Sequence, residues 1–404
     1  MQSKTKKILF IAPASFPIMG AESIVNVKLL KALSENGFEI DVISKDMKWA
    51  NYPYQQMDDF GVSLHSLTVI GVENKLNFNT IFLHIMAFFT FGITYKGAHW
   101  ALLALKKAKQ LVQKNNYNYV LTKNAPAELV GYHLKKKYGL KWIATWNDPF
   151  PAEKYPEPYG KGVNGKVFIG AKGLINMMQK YPDKHIFPSN RLKNYMLKYL
   201  NITNDKIEII PHVVLASENT STNPKHTFLK LLHTGNVASP RNPENFLNAL
   251  HLFYNENPDV HIDTAFMGVL PDNFTDLLVK YNLTEKIKHL PSVEYTKSLE
   301  IINTYDVAVI IEAACEEGIF LPTKVSDYMQ CKKQIFAISP SIGVLHDLYE
   351  EGSIRYFADC NDVYAIKTML QTIYNDFLTG ELFVEIPVKK EFTEKEIVEK
   401  YNKF

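Results

Sequence analysis

The sequence predicts an α/β protein with two doubly wound domains, each built around a parallel β-sheet. Short apolar runs typical of buried strands alternate with longer helical patterns along the whole chain. Strands that alternate with helices form parallel sheets. The alternation also restarts after a polar stretch near the middle of the chain, which indicates a second domain. Because ligands bind such sheets at the carboxyl ends of the strands, we expect the two domains to face a cleft that holds the site.

The first half begins with a continuous apolar run at Ile8–Ala12, which predicts a buried strand. A helical pattern follows from about Glu22 to Glu35, because apolar residues recur at the spacing of one helix face and Asn36-Gly37 then ends the pattern. Further short apolar runs predict the other strands of this half. They are Ile40–Ser44, Tyr119–Thr122, Trp142–Thr145, His185–Phe187 and Ile207–Ile210.

A linker is predicted at Ser217–Pro224, which is rich in Ser, Thr and Asn and nearly free of apolar side chains. It separates an N-terminal domain, residues 1–216, from a C-terminal domain, residues 225–380. Residues 381–404 are expected to form a C-terminal tail helix. The strands predicted in the second domain are Leu229–His233, His261–Phe266, Ile287–Leu290, Val307–Ile311 and Gln334–Ile338.

The composition of the 404 residues is that of an ordinary globular protein, with 46% hydrophobic and 22% charged residues. The 45 basic and 42 acidic residues give a net charge of +3, which is too small for a protein that binds nucleic acid mainly through charge. The three cysteines, Cys315, Cys331 and Cys360, include no closely spaced pair, so neither a disulfide framework nor a cysteine zinc site is expected. The composition favours a cytoplasmic enzyme or binding protein.

Two apolar segments could change that interpretation. The N-terminus imitates a signal peptide, but Pro13 and Pro17 interrupt its short apolar run, so a first strand is favoured. The segment Ile81–Ile93 is strongly apolar, yet it is much shorter than the ~20 residues that cross a bilayer. A buried core helix is the favoured interpretation. The alternative is peripheral contact with the inner face of a membrane through residues 81–109, which also carry several lysines.

The first candidate site is the loop between the first strand and its helix, which contains Gly20-Ala21-Glu22. A glycine here lets the backbone approach a ligand, and the helix that follows offers free N–H groups and the positive end of its dipole. The segment has no G-x-G-x-x-G pattern, so a nicotinamide-dependent enzyme loses its main support. We predict that Gly20 contributes to ligand binding.

A second candidate site follows the strand that opens the second domain and runs from Gly235 to Glu244. Asn242 is predicted to cap the next helix and Pro243 to be its first residue, which places Arg241 just ahead of a helix N-terminus. A guanidinium beside free backbone donors suits a diphosphate. We therefore expect Gly235, Asn236 and Arg241 to bind a phosphorylated ligand.

The third candidate site is the stretch after the strand Val307–Ile311, where another helix is predicted to begin with Thr323 as its cap. Lys324 would add positive charge there. Asp327 lies four residues after Thr323 on the same helix face and could accept from the vicinal hydroxyls of a ribose. Together with the second site, this describes a pocket for a nucleoside diphosphate. The remaining residues assigned to this pocket are Glu317, Gly318, Ile319 and Phe320.

These motifs give the chain a specific resemblance. It resembles the retaining glycosyltransferases of family 4, which have the GT-B fold of two Rossmann-like domains. Four segments carry the resemblance: Ile8–Glu22, Ile210-Pro211-His212, Gly235–Pro243 and Pro322–Met329. The resemblance implies that Arg241 takes the position of a cation that binds the donor diphosphate. It also implies that Asp327 takes the position of the glutamate that binds the ribose.

The chain departs from the family pattern at several positions. The two family glutamates separated by seven residues are missing, because counting back from Asp327 gives Ile319 at the first position. Ala21 replaces the second glycine of the first loop, and Val213 replaces the glycine expected after Ile-Pro-His. Asn236 stands where many members carry a second basic residue. The residue that contacts the donor sugar is therefore left without an assignment.

In the first domain, Asp148 follows the strand Trp142–Thr145 within Trp146-Asn147-Asp148-Pro149-Phe150. This stretch resembles the acidic Asp-Pro segment of related bacterial transferases, and its carboxylate could bind sugar hydroxyls. The alternative is an ordinary Asx-Pro turn. With Arg241 and Lys324, Asp148 completes the predicted catalytic set.

The predicted function is transfer of a sugar from a nucleotide-diphosphate sugar to a hydroxyl acceptor, which would be a glycan or a lipid-linked glycan. The resemblance implies retention of configuration, no metal, and a role in bacterial polysaccharide biosynthesis. The chain also has no Asp-x-Asp pair and no His/Cys cluster with ligand spacing. Two alternatives stay open: a nucleotide-sugar epimerase on the same fold, and a non-catalytic scaffold of a polysaccharide assembly complex.

Overall fold

The structure is a computed structural model that describes residues 5–46, 53–72, 78–216 and 227–404. Its described residues divide into two compact units. The first unit comprises Met1–Tyr155, Gly160–Val213 and Glu394–Phe404. The second comprises Pro156–Tyr159 and Val214–Thr393. The predicted linker at Ser217–Pro224 lies outside the described residues.

The first unit is built on a seven-stranded sheet in the order β3-β2-β1-β4-β5-β6-β7, and every neighbouring pair of strands is parallel. The strands are β1 Lys6–Ile11, β2 Phe38–Lys45, β3 Ser66–Ile70, β4 Tyr119–Lys123, β5 Trp142–Thr145, β6 Lys184–Phe187 and β7 Ile207–Ile209. The helices are α1 Ala21–Glu35, α2 Met57–Phe60, α3 Phe78–Phe91, α4 Ala98–Lys114, α5 Ala127–Tyr138, α6 Ile169–Lys180 and α7 Asn190–Leu197.

The second unit repeats this design with a six-stranded parallel sheet in the order β10-β9-β8-β11-β12-β13. The strands are β8 Leu229–Thr234, β9 Ile262–Met267, β10 Ile287–Leu290, β11 Val307–Ile311, β12 Gln334–Ser339 and β13 Tyr356–Asp359. The helices are α8 Glu244–Glu256, α9 Phe274–Lys280, α10 Tyr295–Asn303, α11 Thr323–Gln330, α12 Val344–Glu350 and α13 Val363–Thr379.

Both sheets confirm the predicted fold class. In each one the strand order reverses beside the first strand, between β1 and β4 in the first unit and between β8 and β11 in the second. Such a switch point leaves a crevice at the carboxyl ends of the two strands, which is where doubly wound sheets bind ligands. The central strands β4 and β11 are buried over their whole length, because helices cover both faces of a parallel sheet.

Two strands, β3 and β13, were not predicted. β3 is an edge strand whose residues are half-buried or exposed, and β13 is an edge strand of four residues with alternating burial. Neither carries the continuous apolar run that marks the central strands. The chain segment 381–404 was predicted as a tail helix, yet its helix α14 spans only Glu394–Asn402. Pro387 precedes it and opposes a longer helix.

Helix α14 belongs to the first unit, where it packs beside β4. The Tyr119 hydroxyl donates to the Tyr401 carbonyl at 3.3 Å, and the Phe404 ring meets the Tyr119 ring edge-on. At the start of the helix, Asn36 Nδ2 donates to Glu394 Oε1 at 2.8 Å. The C-terminus of the chain therefore completes the core of the N-terminal unit.

The prediction that Ile81–Ile93 is a buried core helix was wrong. Helix α3 packs against α4, but it buries only Thr80, Ala87 and Phe91. Its apolar pattern runs around the whole helix, so one side contacts the protein and the other sides face outward. Large apolar side chains are exposed along it, namely Phe78, Ile81, Phe82, Ile85, Met86, Phe88 and Phe89.

Candidate functional site

The switch point of the second unit brings together three side chains and one glycine. Gly235 follows β8 directly, Glu312 follows β11 directly, and Lys324 lies in the first turn of α11. Arg241 lies in the loop between β8 and α8. We call Gly235, Arg241, Glu312 and Lys324 the strand-end cluster. A parallel sheet brings the ends of β8 and β11 together because these strands are hydrogen-bonded neighbours.

Arg241 is held in place by three contacts within this unit. Its Nε and Nη2 donate to the same oxygen, Oε2 of Glu312, at 3.1 and 3.0 Å. The Tyr159 hydroxyl donates to that oxygen at 3.2 Å, and the guanidinium carbon lies 5.6 Å from the centre of the Tyr159 ring. A fixed guanidinium presents its remaining N–H groups in a defined direction, as recognition of a diphosphate requires.

Glu312 is the residue that the sequence analysis missed. It is 9% exposed, and its second carboxylate oxygen, Oε1, has no hydrogen-bond partner within the described part of the chain. A buried carboxylate oxygen without a partner is costly, so such atoms are commonly found where a ligand binds. The available signal was position alone, because Glu312 is the first residue after a buried strand that ends at the switch point.

Lys324 lies beside Gly235 and His233. Its Nζ donates to His233 Nε2 at 3.2 Å, while His233 Nδ1 lies 3.1 Å from the Val309 carbonyl oxygen. This arrangement requires a neutral imidazole that donates through Nδ1 and accepts through Nε2. Burial and the Lys324 charge hold the pKa of His233 well below its usual value. Burial also lowers the pKa of Lys324 to about 8, although the Glu312 charge opposes that shift.

Gly235 is required by its backbone. Its φ of +85° lies in the left-handed region, and a Cβ there would come within 3.6 Å of Lys324 Nζ. Its carbonyl group also lies close to Gly268, where a Cβ would be 2.7 Å from the Gly235 oxygen. Asn236, the next predicted residue, is exposed, and its Oδ1 accepts from the Val269 backbone N–H at 3.3 Å. The glycine keeps the end of β8 open beside the lysine.

The loop before α11 is anchored by its backbone. Gly318 exchanges hydrogen bonds of 2.8 Å with the loop that precedes α12, so its backbone forms a short bridge to Gly343. The Ile319 side chain is fully buried, which leaves only its backbone for a ligand. The Phe320 ring meets the Tyr159 ring edge-on at 5.1 Å. Glu317 is half-buried.

Two predicted helix starts are displaced by one residue. Pro322, not Thr323, is the cap of α11, and it offers no side-chain hydrogen bond. Pro243, not Asn242, is the cap of α8, although Asn242 Oδ1 still accepts from the Glu244 N–H at 3.0 Å. In both places proline fixes an extended or turning backbone and the helix begins at the residue that follows.

Asp327 lies on α11 and is not part of the strand-end cluster. It is 8% exposed, and its Oδ1 accepts from the Tyr295 hydroxyl at 2.7 Å. Burial of the ring, and after it the Asp327 charge, raises the pKa of Tyr295, so the phenol stays a donor. A ribose hydroxyl would therefore share this carboxylate with Tyr295.

In the first unit, Gly20 caps α1. The Ser23 hydroxyl accepts from the Gly20 N–H at 2.9 Å and donates to the Gly20 carbonyl at 2.8 Å. The glycine has an extended backbone that any residue adopts, and a Cβ there would meet open space. Gly20 therefore leaves room beside the helix N-terminus, and strain does not explain its presence.

Acidic side chains gather near the carboxyl ends of β4 and β5 in the same unit. Asn147 Nδ2 donates to Glu22 Oε1 at 2.9 Å. Burial raises the pKa of Glu22 to about 7, the Lys123 charge opposes that shift and the Asp148 charge adds to it. Burial lowers the pKa of Lys123 to about 8. Asp148, the predicted catalytic residue of this unit, thus lies in an environment where one carboxylate already resists ionisation.

A cavity of about 240 Å³ opens beside these acids. We call it the acidic cavity. Glu128 on α5 is its most deeply buried acid, at 1% exposure. The lining consists of Tyr95, Asn124, Ala125, Glu128, Thr145, Trp146, Asp148, Pro149, Phe150, Ala152, Tyr155 and Met178.

Comparison with known proteins gives the chain a class. Residues 23–216 match the family model described as Glycosyltransferase Family 4. The chain is a glycosyltransferase with the GT-B fold. No curated protein matches its sequence.

Solved glycosyltransferase structures resemble the chain over nearly its full length. Sucrose-phosphate synthase from Thermosynechococcus elongatus is 13% identical, with 98% of each chain covered and a TM-score of 0.65. Anabaena HepE in complex with UDP-glucose is 10% identical, covers 98% of this chain and 100% of its own, and has a TM-score of 0.64. A glycosyltransferase from Rickettsia africae is 16% identical, with 99% and 97% covered and a TM-score of 0.61. At these identities the likeness shows the fold.

Proposed function

We propose that this glycosyltransferase moves a sugar from a nucleoside-diphosphate sugar to a hydroxyl acceptor, with retention of the anomeric configuration. The observation that carries the proposal is the strand-end cluster, which places Arg241 and Lys324 at the switch point of the second unit. The similarity of the chain to HepE, which has been solved with UDP-glucose, supports a nucleotide sugar as the donor.

Glycosyl transfer requires positive charge near the diphosphate leaving group. The bond between the anomeric carbon and the diphosphate oxygen breaks with its electron pair on the diphosphate. The acceptor oxygen forms the new bond to the anomeric carbon, and its proton passes to the departing diphosphate. Arg241 and Lys324 stabilise the charge that develops on the diphosphate, and the first turn of α11 adds backbone N–H groups. Fixed donors of this kind need no reorganisation during the reaction.

We assign the acceptor to the first unit, where Asp148 and Gly20 lie near the carboxyl ends of the strands. Carboxylate and amide oxygens accept hydrogen bonds from sugar hydroxyls, and aromatic side chains pack against sugar rings. Both groups line the acidic cavity. The absence of a metal requirement belongs to this proposal as well. Among the described residues, no group of three His, Cys, Asp or Glu side chains could hold a metal ion.

We also propose that the enzyme works at a membrane surface on a lipid-linked glycan. Helix α3 exposes a row of phenylalanines, and Phe168 and Ile169 at the start of α6 are exposed too. These two patches are neighbours, because Gly170 and Gly173 pack against the residues that follow α3. The nearby lysines Lys96, Lys166 and Lys172 are exposed and suit anionic lipid headgroups. In the described part of the chain no helix is long and apolar enough to span a bilayer.

The transfer reaction is tested by incubating the enzyme with a panel of nucleotide sugars and following the products by NMR. Retention predicts that an α-linked donor gives an α-linked product, and a β-linked product would contradict it. A changed nucleotide sugar that appears without any acceptor would instead support the epimerase alternative.

The membrane proposal is tested by cosedimentation with vesicles of phosphatidylethanolamine and phosphatidylglycerol. We expect the double substitution Phe82→Ser and Phe89→Ser to abolish most of the binding. Leu378→Ser, which alters an exposed apolar side chain of the second unit, should leave it unchanged. Equal binding by all three proteins would contradict the assignment to α3.

A further inference from the structure

Glu128 is a buried carboxyl group that the fold does not use. Its side chain is 1% exposed and lines the acidic cavity. Neither of its oxygens has a hydrogen-bond partner on another residue that the structure describes. Burial raises the pKa of Glu128 to about 8, and the charge of Glu22 adds to the rise. A buried carboxyl group without partners destabilises a protein, so its presence in a cavity indicates a ligand that supplies the missing donors.

The cavity around Glu128 is acidic and aromatic. Asp148 lies in its lining, together with the rings of Tyr95, Trp146, Phe150 and Tyr155. None of the twelve described lining residues is lysine or arginine. Lys123 lies near this region, and its charge interacts with that of Glu22. The walls therefore favour a ligand that brings positive charge.

The backbone at the edge of the cavity has an unusual conformation. Asn124 follows β4 and adopts a φ of 61°, in the left-handed region, and its carbonyl accepts from the Ala127 N–H at 3.0 Å. Asparagine tolerates this conformation better than most residues. Strained positions of this kind cluster at ligand sites, and this one lies at the switch point of the first sheet.

An ammonium group fits these features better than a metal ion. It has three donors and no acceptor, so it can satisfy both oxygens of a carboxylate. It also binds the faces of aromatic rings, which hydroxyl groups do less strongly. The described residues contain no group of three side chains arranged to hold a metal ion.

We propose that the acidic cavity binds the amino group of an amino-sugar acceptor, with Glu128 as its principal partner. This inference rests on the proposed glycosyl transfer and names the class of the acceptor. The ammonium group pairs with the Glu128 carboxylate, Asp148 accepts from a neighbouring hydroxyl, and the aromatic side chains pack against the sugar ring.

Binding should depend on pH. The charged groups that act on the cavity are Glu22 from α1, Glu128 from α5, Asp148 and Glu153 after β5, and Lys123 at the end of β4. A bound ammonium lowers the pKa of Glu128 from about 8, so binding at pH 7 releases a proton from this carboxyl. Affinity therefore rises from pH 6 until the amine begins to lose its own proton, and it falls at higher pH.

The test compares glucosamine, glucose and N-acetylglucosamine by calorimetry at pH 7.5. These probes differ only in the group that would meet Glu128. We expect glucosamine to bind at least about tenfold more tightly than the other two. In Glu128→Gln its advantage should disappear while glucose binding stays the same. Glu35→Gln, an exposed acid on α1, serves as the matched control.

Three results would overturn the inference: equal binding of the three sugars, binding of none, or an unchanged advantage of glucosamine in Glu128→Gln. Circular dichroism verifies that the variant is folded, and Asp148→Asn provides a second variant that should weaken glucosamine binding. UDP binding by the same wild-type sample separates the two proposals. If UDP binds but glucosamine is not preferred, only this inference fails, whereas loss of both refutes the proposed function.

Discussion

Arg241 directs Nε and Nη2 at one carboxylate oxygen of Glu312, at 3.1 and 3.0 Å. The pair lies at the switch point where we propose that a donor diphosphate binds. Glu312 fixes the orientation of the guanidinium, and the diphosphate and Glu312 would compete for its charge. The second carboxylate oxygen of Glu312, Oε1, is buried and has no partner in the described part of the chain. Donor binding would therefore draw on a guanidinium charge that an existing ion pair already partly neutralises.

The first prediction concerns this competition. Glu312→Gln should tighten UDP binding about threefold, because the neutral amide holds the guanidinium less strongly than the carboxylate does. The titration is made at pH 6.5, below the pKa of about 8 of Lys324, because the variant loses the Glu312 charge that raises this pKa. Weaker UDP binding in Glu312→Gln would show that the carboxylate assists the donor site.

The second prediction concerns pH. Because the pKa of Lys324 is about 8 in the free protein and a bound diphosphate raises it, binding above pH 8 takes up a proton. UDP affinity should then fall from pH 7 to 9, by at most about tenfold per unit. Lys324→Arg should flatten the profile, since a guanidinium keeps its proton throughout this range. An equally steep fall in Lys324→Arg would assign the titration to another group.

The third prediction separates ribose from diphosphate. If Asp327 binds the ribose hydroxyls, Asp327→Asn should weaken UDP by about tenfold and leave inorganic pyrophosphate unchanged. Calorimetry with both ligands measures the difference. A variant that binds UDP as well as the wild type would refute the ribose assignment.

Tyr295→Phe provides the control for that experiment. It removes the hydroxyl that donates to Asp327 at 2.7 Å but keeps the carboxylate. We expect a loss of about 1–3 kcal/mol in the free energy of unfolding, because a buried acceptor loses its donor. UDP binding should be retained, and chemical denaturation measures the stability change. A loss of UDP binding equal to that of Asp327→Asn would show that the tyrosine and the aspartate act as one structural unit.

The fourth prediction tests the packing of α5 on the sheet. A Cβ at Gly131 would lie 2.3 Å from Trp142 Nε1 and 2.8 Å from Thr122 Cγ2, and Trp142 Nε1 already donates to Thr122 Oγ1 at 2.8 Å. Gly131→Ala should cost about 1–3 kcal/mol of stability, even though alanine is the better helix former. Gly71→Ala meets open space and should change stability by less than about 0.5 kcal/mol. Equal melting temperatures of the two variants would contradict this contact.

The sequence predicted the central strands well because they are buried on both faces. Trp142–Thr145 and Val307–Ile311 are such strands and have the predicted bounds. The edge strand Ile287–Leu290, which is partly exposed, also has the predicted bounds. The edge strands β3 and β13 were missed because one side of each is open, and their side chains then carry no continuous apolar pattern. A local apolar pattern reports burial, so it predicts buried strands more readily than open edge strands.

The site shows a similar limit. The positions of Arg241 and Lys324 near the start of a helix could be predicted, because the end of a strand pattern and the start of a helix pattern are visible in the sequence. Glu312 and Glu128 could not be, because their importance lies in burial without a partner, which depends on contacts between distant segments. Helix α3 was misjudged for the same reason, since an apolar segment looks alike whether it is covered or exposed.

The central claim is that Arg241 and Lys324 bind the diphosphate of a nucleotide-sugar donor. Calorimetry of the wild type and Arg241→Gln with a panel of nucleotide sugars tests it most directly, with Lys297→Gln as a control at an exposed cation. We expect the wild type and Lys297→Gln to bind one donor alike, and Arg241→Gln to bind it at least about tenfold more weakly. Equal affinity in Arg241→Gln, or no binding of any nucleotide sugar by the wild type, would contradict the claim.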